Sequence, residues 1–258
     1  MAEIHPTALV HPAAQIGANV SIGAYSIIGE HVEIGDGTQV GPHAVITGHS
    51  RIGRNNRIFQ FVSLGEEPQD KKYAGEPTRL EIGDNNVIRE FCTFNTGTVQ
   101  DAGVTRIGHD NWVMAYVHVA HDCVIGDHCI FANNASLAGH VSVQDYAILG
   151  GFTGVHQFCR IGAHVITGIA SVIRQDVPPY ITVAGSPAAP HGINSEGLKR
   201  RGYSVEAISA IKRAYKTLYK SGLGLNDAQS AIAAEAAAQP ELQALADFLA
   251  ISGRGIIR

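Results

Sequence analysis

A branched aliphatic or leucine stands at every sixth position from residue 4 to residue 64: Ile4, Val10, Ile16, Ile22, Ile28, Ile34, Val40, Ile46, Ile52, Ile58 and Leu64. Six is not a multiple of 3.6, so no amphipathic helix gives this spacing, and the run outlasts any single strand. A strict hexapeptide period is the signature of a β-solenoid, whose repeats bury surface only against their neighbours. The marker returns in phase at Ile82, Ile88 and Phe94. One residue late it resumes at Ile107, Val113, Val119, Ile125, Phe131, Leu137, Val143, Leu149, Val155 and Ile161, fails at Thr167 and returns at Ile173. Three flats per turn make a triangular coil of eighteen residues, so residue n lies beside residue n+18. Around nine coils at the ~4.8 Å strand spacing give a prism roughly 40 Å long. The position after each marker is usually glycine (Gly17, Gly23, Gly29, Gly35, Gly41, Gly53), as expected if the corner needs positive φ. The fourth position after it is small or β-branched (Ala8, Ala14, Val20, Ser26).

Both breaks in the period are informative. Residues 66–80 are polar and carry no marker, yet the phase survives them, so they bulge from one corner of the prism. Loops of this length in compact folds are usually functional or disordered. Gln100 to Arg106 form a shorter excursion that shifts the phase by one. The repeats fade at Val177-Pro178-Pro179-Tyr180 and end at Gly185-Ser186-Pro187. The expected division is a solenoid over 1–190 and a small α-helical domain over 191–258. Ser204 predicts an N-cap for a helix running to about Ser221, with apolar Ile208, Ile211, Tyr215 and Leu218 at 3–4 spacing. Asn226 predicts the start of a second helix and Pro240 of a third.

Composition narrows the function classes. A net charge of −4 argues against general nucleic-acid binding. No apolar run approaches ~20 residues and no basic-then-apolar leader opens the chain, so neither a membrane span nor a signal peptide is expected. Cys92, Cys123, Cys129 and Cys159 all fall at the small fourth position, fitting buried free thiols and a reducing cytoplasm rather than disulfides or zinc. Against the acidic whole, residues 199–220 carry Lys199, Arg200, Arg201, Lys212, Arg213, Lys216 and Lys220 opposite the single acid Glu206, which points to an anionic partner or phosphate.

Of 13 histidines, His5, His11, His31, His43 and His109 fall at polar positions on separate coils and read as surface imidazoles. His118, His121, His140 and His156 differ, because eighteen-residue stacking sets His121 beside Gly139 and His140 beside Asp122, crowding the four onto one wall. Asp122 can fix the tautomer of His121 and raise its basicity as a general base. The Gly139 N–H, with no side chain in the way, suits a developing oxyanion. Closed three-fold association through unpaired flats would put each such wall in a cleft between subunits.

Several segments together carry a resemblance: the hexapeptide body, Gln69-Asp70-Lys71-Lys72-Tyr73-Ala74-Gly75-Glu76-Pro77-Thr78-Arg79, Ala120-His121-Asp122-Cys123, Leu137-Ala138-Gly139-His140-Val141, His156-Gln157-Phe158-Cys159 and Asn194-Ser195-Glu196-Gly197-Leu198-Lys199-Arg200-Arg201-Gly202. Over essentially its whole length the chain resembles the UDP-N-acetylglucosamine O-acyltransferase family, which acts first in lipid A biosynthesis. The resemblance implies a mainly β fold, a left-handed parallel β-helix with a small C-terminal α-helical domain, assembled as a homotrimer. It implies transfer of a 3-hydroxyacyl group from acyl carrier protein to the glucosamine 3-hydroxyl of UDP-N-acetylglucosamine, with no cofactor or metal. His121 would be the base, Asp122 its orienter and Gly139 the oxyanion donor. Asp70, Lys72, His118, His140, His156, Gln157, Asn194, Glu196, Arg200 and Arg201 would bind substrate, and the helical domain's basic residues would receive the acidic carrier protein.

Two departures from the family pattern stand out. Asn95-Thr96-Gly97 replaces a common His-Arg-Gly, so no catalytic role is expected there. Ile169 fills the acyl-length ruler position where long-chain members have glycine, which implies a shorter donor. An apolar pocket discriminates by about 1–3 kcal/mol per methylene, so the preference should be graded. The rival readings are a related hexapeptide N- or O-acyltransferase on another sugar nucleotide, and a zinc lyase of the γ-type carbonic anhydrase kind, which requires three convergent imidazoles. A purely structural solenoid would show a flat face of repeated Thr, which the mixed fourth column lacks.

Overall fold

The computed structural model describes residues 1–251 and 255–258. The chain forms a left-handed parallel β-helix with three faces, made of sheets of eleven, nine and eight strands. Each hexapeptide gives one short strand on one face, and every third strand pairs in parallel register. Glu3 lies beside Ser21 and Ile4 beside Ile22, eighteen residues on. Arg57 pairs with Val87, thirty on, and Val87 with Trp112, twenty-five on. The inserted lengths are therefore 30 − 18 = 12 and 25 − 18 = 7 residues. Twelve is two whole hexapeptides, which is why the phase survives the first loop, and seven is one hexapeptide plus the single-residue slip. Both insertions leave the same edge, between the nine- and eight-stranded sheets: one between Ser63–Glu66 and Arg79–Ile82, the other between Thr93–Asn95 and Val104–Ile107.

The markers stack into one continuous core of buried aliphatics and phenylalanines. Thr167 does not interrupt it. This threonine is buried, and its Oγ1 accepts from Gly150 N at 2.8 Å while bonding Thr153 Oγ1 at 2.7 Å, so a satisfied polar pair fills the column. The four cysteines are buried and none is in a disulfide, and burial pushes the Cys92, Cys123 and Cys129 thiols up to about 12, where they are inert.

The glycine after each marker is there for a different reason from the one its sequence position suggests. Gly17, Gly23, Gly35, Gly41 and Gly53 are not among the positive-φ residues. A Cβ on Gly23 would lie 2.6 Å from the Pro42 nitrogen, and one on Gly35 would lie 2.7 Å from the Gly53 carbonyl carbon. Close approach of the next coil, not backbone freedom, demands glycine there. Left-handed backbone falls two residues later, at Asn19, Tyr25, His43, Asn55, Phe61, Asp122 and His140, with φ between 54° and 62°. Each of these corner side chains projects beside its counterpart one coil on. Tyr25, His43, Phe61, Phe91 and Tyr116 accordingly form a stack of rings 4.8–5.1 Å apart.

The last parallel strand is Ile181–Gly185, and the chain then doubles back as the antiparallel strand Ala188–Ile193, past the expected end of the solenoid at 190. Helix α1 (Ser195–Arg200) follows, then α2 (Val205–Lys220), α3 (Leu225–Ala236), a 3-10 turn (Pro240–Leu242) and α4 (Gln243–Ala250). Ser204 caps α2 as the spacing predicts, its Oγ accepting from Ala207 N at 3.1 Å. Helix α1 escapes sequence reading because it has only six residues, one of them Gly197. No helix among the described residues is long and apolar enough to cross a membrane.

Helical domain and solenoid meet at the edge between the eight- and eleven-stranded sheets. Tyr146, His164 and Tyr180 stack there, Tyr203 Oη bonds His164 Nε2 at 3.2 Å, and the Arg201 guanidinium lies 5.0 Å over the Tyr146 ring. Burial, helped by the nearby Arg201 charge, lowers the His164 pKa to about 4. An unfolded histidine titrates near ~6.5, so the stability contributed by the neutral ring is complete above that pH and is lost as pH falls toward about 4. His164→Phe keeps the stack and removes the proton site. We expect its melting temperature to fall less than the parent's across this window, as followed by circular dichroism.

Candidate active site

The edge that carries both insertions also carries His121 and Asp122, which follow the strand His118–Val119. Asp122 takes φ 59°, and its side chain is almost wholly buried. Oδ1 accepts from Thr98 N at 2.9 Å, while Oδ2 accepts from Thr98 Oγ1 at 2.6 Å and from His121 Nδ1–H at 2.9 Å. The Asp122 N–H donates to Thr105 Oγ1 at 2.8 Å. Three donors fix this carboxylate in place. Because it only accepts, the proton of a neutral His121 sits on Nδ1 and the lone pair on Nε2. The Nε2 side of the ring lies over Gly139, where an added Cβ would come within 2.6 Å of it. Glycine at 139 thus makes room for the imidazole.

His140 stands edge-on to His121, ring centroids 5.1 Å apart. Its Nδ1–H donates to Asp101 Oδ2 at 2.9 Å, its Nε2 is 3.8 Å from Asp122 Oδ2, and its face stacks on Phe158 at 4.3 Å. His118 and His156 sit along the adjoining nine-stranded face. They line a groove of about 460 Å³ with Ser136, Ala138 and Arg174. His118 Nδ1 bonds Thr93 Oγ1 at 2.7 Å, and burial first, then the neighbouring His121, lowers its pKa. The expected wall is therefore real but divided: one pair of imidazoles at the edge, the other in the groove. Gln157 is one coil on from Gly139 and is exposed. The remaining histidines read as surface residues, His5, His11, His31, His43 and His109, are all exposed.

Other sequence-derived candidates lie on the first loop, which leaves this same edge, or apart from it. Asp70 and Lys72 are on the first loop, where Asp70 Oδ1 accepts from Lys72 N at 3.0 Å. That loop is tied to the strand Thr93–Asn95 by Asn95, whose Nδ2 donates to Glu67 O at 2.8 Å. Asn194 caps α1: Oδ1 accepts from Gly197 N and Nδ2 donates to His164 O, both at 3.0 Å. Glu196 pairs with Lys199 at 2.8 Å, Arg200 is exposed, and Arg201 donates to Gly197 O and Tyr146 O as well as covering Tyr146. These four residues stand at the edge between the eight- and eleven-stranded sheets. Ile169 stands at the third edge and is 74% exposed. One chain thus spreads the candidates over all three edges of the prism.

Sequence reading missed Thr98, Asp101 and Thr105. Thr98 is 24 residues and Asp101 39 residues from its partner, so neither obeys the eighteen-residue rule. The one-residue slip at the second excursion was the only signal that something unusual was built there.

A buried Asp–His pair at the edge of a parallel hexapeptide solenoid is an arrangement that a transferase of the hexapeptide class can use, and the comparisons with known proteins place the chain in that class. The family model for bacterial transferase hexapeptide repeats matches residues 105–139, and that for UDP N-acetylglucosamine O-acyltransferase, domain 2, matches residues 176–257. The acyl-[acyl-carrier-protein]–UDP-N-acetylglucosamine O-acyltransferase of Thiobacillus denitrificans is 71% identical over 258 residues, covering 100% of both chains. Solved structures agree. LpxA from Acinetobacter baumannii superposes with a TM-score of 0.97 at 50% identity, and the UDP-N-acetylglucosamine O-acyltransferase of Moraxella catarrhalis with 0.97 at 46%, each covering 99% of both chains. The chain belongs to the UDP-N-acetylglucosamine O-acyltransferase family.

Because a Cβ at 139 would come within 2.5–2.6 Å of the imidazole, Gly139→Ala should turn His121 off Asp122 without disturbing the coil. We expect transfer to drop by roughly 10²-fold, the scale of an ångström misplacement, with an unchanged melting curve. A variant of normal activity would show that the ring need not lie where it does.

Proposed function

We propose that this protein moves a 3-hydroxyacyl group from acyl carrier protein to the 3-hydroxyl of the glucosamine in UDP-N-acetylglucosamine, the first step of lipid A biosynthesis. The observation that carries the mechanism is the Asp122–His121 pair: a buried carboxylate 2.9 Å from Nδ1 leaves Nε2 as a proton acceptor at the edge next to the face whose groove His118 and Ala138 line. His121 Nε2 takes the proton of the sugar hydroxyl as its oxygen attacks the thioester carbonyl. Asp122 stabilises the imidazolium that forms. The Gly139 N–H donates to the oxyanion of the tetrahedral intermediate. Collapse breaks the carbon–sulfur bond, and His121 gives its proton to the departing thiolate, which leaves as the thiol.

His118, His140, His156 and Gln157, along the edge and groove, position sugar or pantetheine. Asp70 and Lys72 reach in from the first loop, and Asn194, Glu196, Arg200 and Arg201 address the nucleotide end. Since these residues and Ile169 stand at three different edges of one chain, they meet only between copies, which favours a closed homotrimer. Asn194 and Arg201 already have internal partners, so of this set Arg200 is the best placed for phosphate. On α2, Lys212, Lys216 and Lys220 are exposed while Arg213 is held by Glu235 and Gln239, so the three lysines form the docking face for an acidic carrier protein. Buried thiols outside any disulfide and a carrier-protein donor fit a cytoplasmic location.

A zinc lyase of the carbonic anhydrase kind fits the geometry poorly. Among the described residues two imidazoles, His121 and His140, converge with Asp122 at the edge, and the Nδ1 of each faces a carboxylate.

His121→Ala should lower transfer by about 10²–10⁴-fold, the usual worth of a general base, in an assay with UDP-N-acetylglucosamine and 3-hydroxyacyl carrier protein. Near-full activity would remove His121 as the base. Ile169→Gly should shift the preferred donor to a longer acyl chain across a panel of carrier proteins, and an identical profile would dismiss the ruler.

A further inference from the structure

An aspartate carboxylate turns easily about its terminal torsion, whose distribution is broad. A ring oriented by such a carboxylate needs that torsion fixed, because the ring follows the oxygen it bonds. Thr98, wholly buried in the second insertion, supplies the hold. Its N–H donates to Asp122 Oδ1 at 2.9 Å and its Oγ1–H to Oδ2 at 2.6 Å, so one residue grips both oxygens and sets the plane of the carboxylate. Oδ2 is also the oxygen that faces His121 Nδ1, at 2.9 Å. The repeat cannot provide this grip, since eighteen residues before Asp122 stands the aliphatic Val104. Thr105, at the far end of the insertion, holds the backbone of the same aspartate by accepting from Asp122 N at 2.8 Å.

Thr98 is itself anchored. Asp101 N and Gly103 N donate to its carbonyl at 3.2 and 3.1 Å, closing the loop on it. Gly97 N donates to Arg79 O at 3.1 Å, and Arg79 N donates to Gly103 O at 2.9 Å. Thr96 N donates to Glu66 O at 3.0 Å, and Thr96 Oγ1 accepts from Thr78 Oγ1 at 3.1 Å. The strand that ends the first insertion is thus the footing of the second. We infer that Thr98 is a positioning residue for the acyl transfer: it fixes the Asp122 carboxylate and, through it, the direction of the His121 ring. The inference rests on the reading of Asp122 and His121 as the catalytic pair. It adds that the second insertion, outside the repeat, belongs to the machinery.

A double-mutant cycle tests it, with kcat and KM measured for the full-length protein on UDP-N-acetylglucosamine and 3-hydroxyacyl carrier protein. Thr98→Val keeps the shape and the backbone N–H but loses the hydroxyl. We expect kcat to fall about tenfold, short of the ~10²-fold of an ångström misplacement, with both KM values unchanged. Thr98→Ser keeps the hydroxyl and should restore kcat. In an Asp122→Ala background the valine substitution should cost nothing further, because the group it acts through is gone. A purely structural role would lower activity equally in both backgrounds. Thr98→Ala takes the place of valine in the same cycle if circular dichroism shows that valine unfolds the protein. Unchanged kcat in Thr98→Val, failure of serine to restore it, or equal losses in both backgrounds would overturn the inference and leave the His121–Asp122 pair standing. Full activity of Asp122→Ala would overturn both.

Discussion

The parallel hydrogen-bond ladder between successive coils is the constraint on which everything else depends. Backbone amides meet carbonyls one coil on at close to 2.8–3.1 Å, as where Leu9 N donates to Ser26 O and His118 N to Ala135 O. At Gly17, Gly23, Gly35, Gly41 and Gly53 the next coil comes so close that a Cβ would clash, so glycine is required there. The same pitch puts the required left-handed residue two positions later, where Asn, Asp, His and aromatics serve. Stacking at this pitch turns corner side chains into columns. One corner column holds Asp122 and His140, with His121 beside them.

Insertions are tolerated only where the ladder can resume in register, and both occur at one edge. Their cost in loop closure is small and grows slowly with length. In return they bring side chains that the repeat itself cannot provide. The solenoid alone would leave Asp122 without Thr98 and His140 without Asp101. A buried carboxylate with an incomplete set of donors is expensive, so the excursion at 96–103 belongs to the stability of the edge as much as to its chemistry.

The helical domain is joined to the solenoid by packing of mixed polarity. Arg160 illustrates this: its backbone N–H and Nε both donate to Asp176 at 2.8 Å, and its guanidinium lies 4.3 Å over Phe248 of α4. Asp176 also pairs with Ile256 near the end of the chain. Residues expected to face a ligand, Asn194 and Arg201, are engaged in the same joint, capping α1 and covering Tyr146. Their side chains show that a basic, polar motif can be spent on docking one domain to another.

The period alone determined the coil, the core, the burial of the cysteines, the edge from which the first loop departs and the meeting of His121, Asp122, Gly139 and His140, because all of these follow from one local rule repeated along the chain. It misjudged the glycines, since sequence cannot separate a need for positive φ from a need for space. It could not find Thr98 or Asp101, whose contacts span 24 and 39 residues through an irregular loop. Nor could it tell that Asn194 and Arg201 are internally satisfied, or that Ile169, Arg200 and His121 stand at three different edges. Those facts depend on where a chain closes in three dimensions, and an eighteen-residue repeat fixes neighbours along a column but not what an excursion or a second domain folds back to touch.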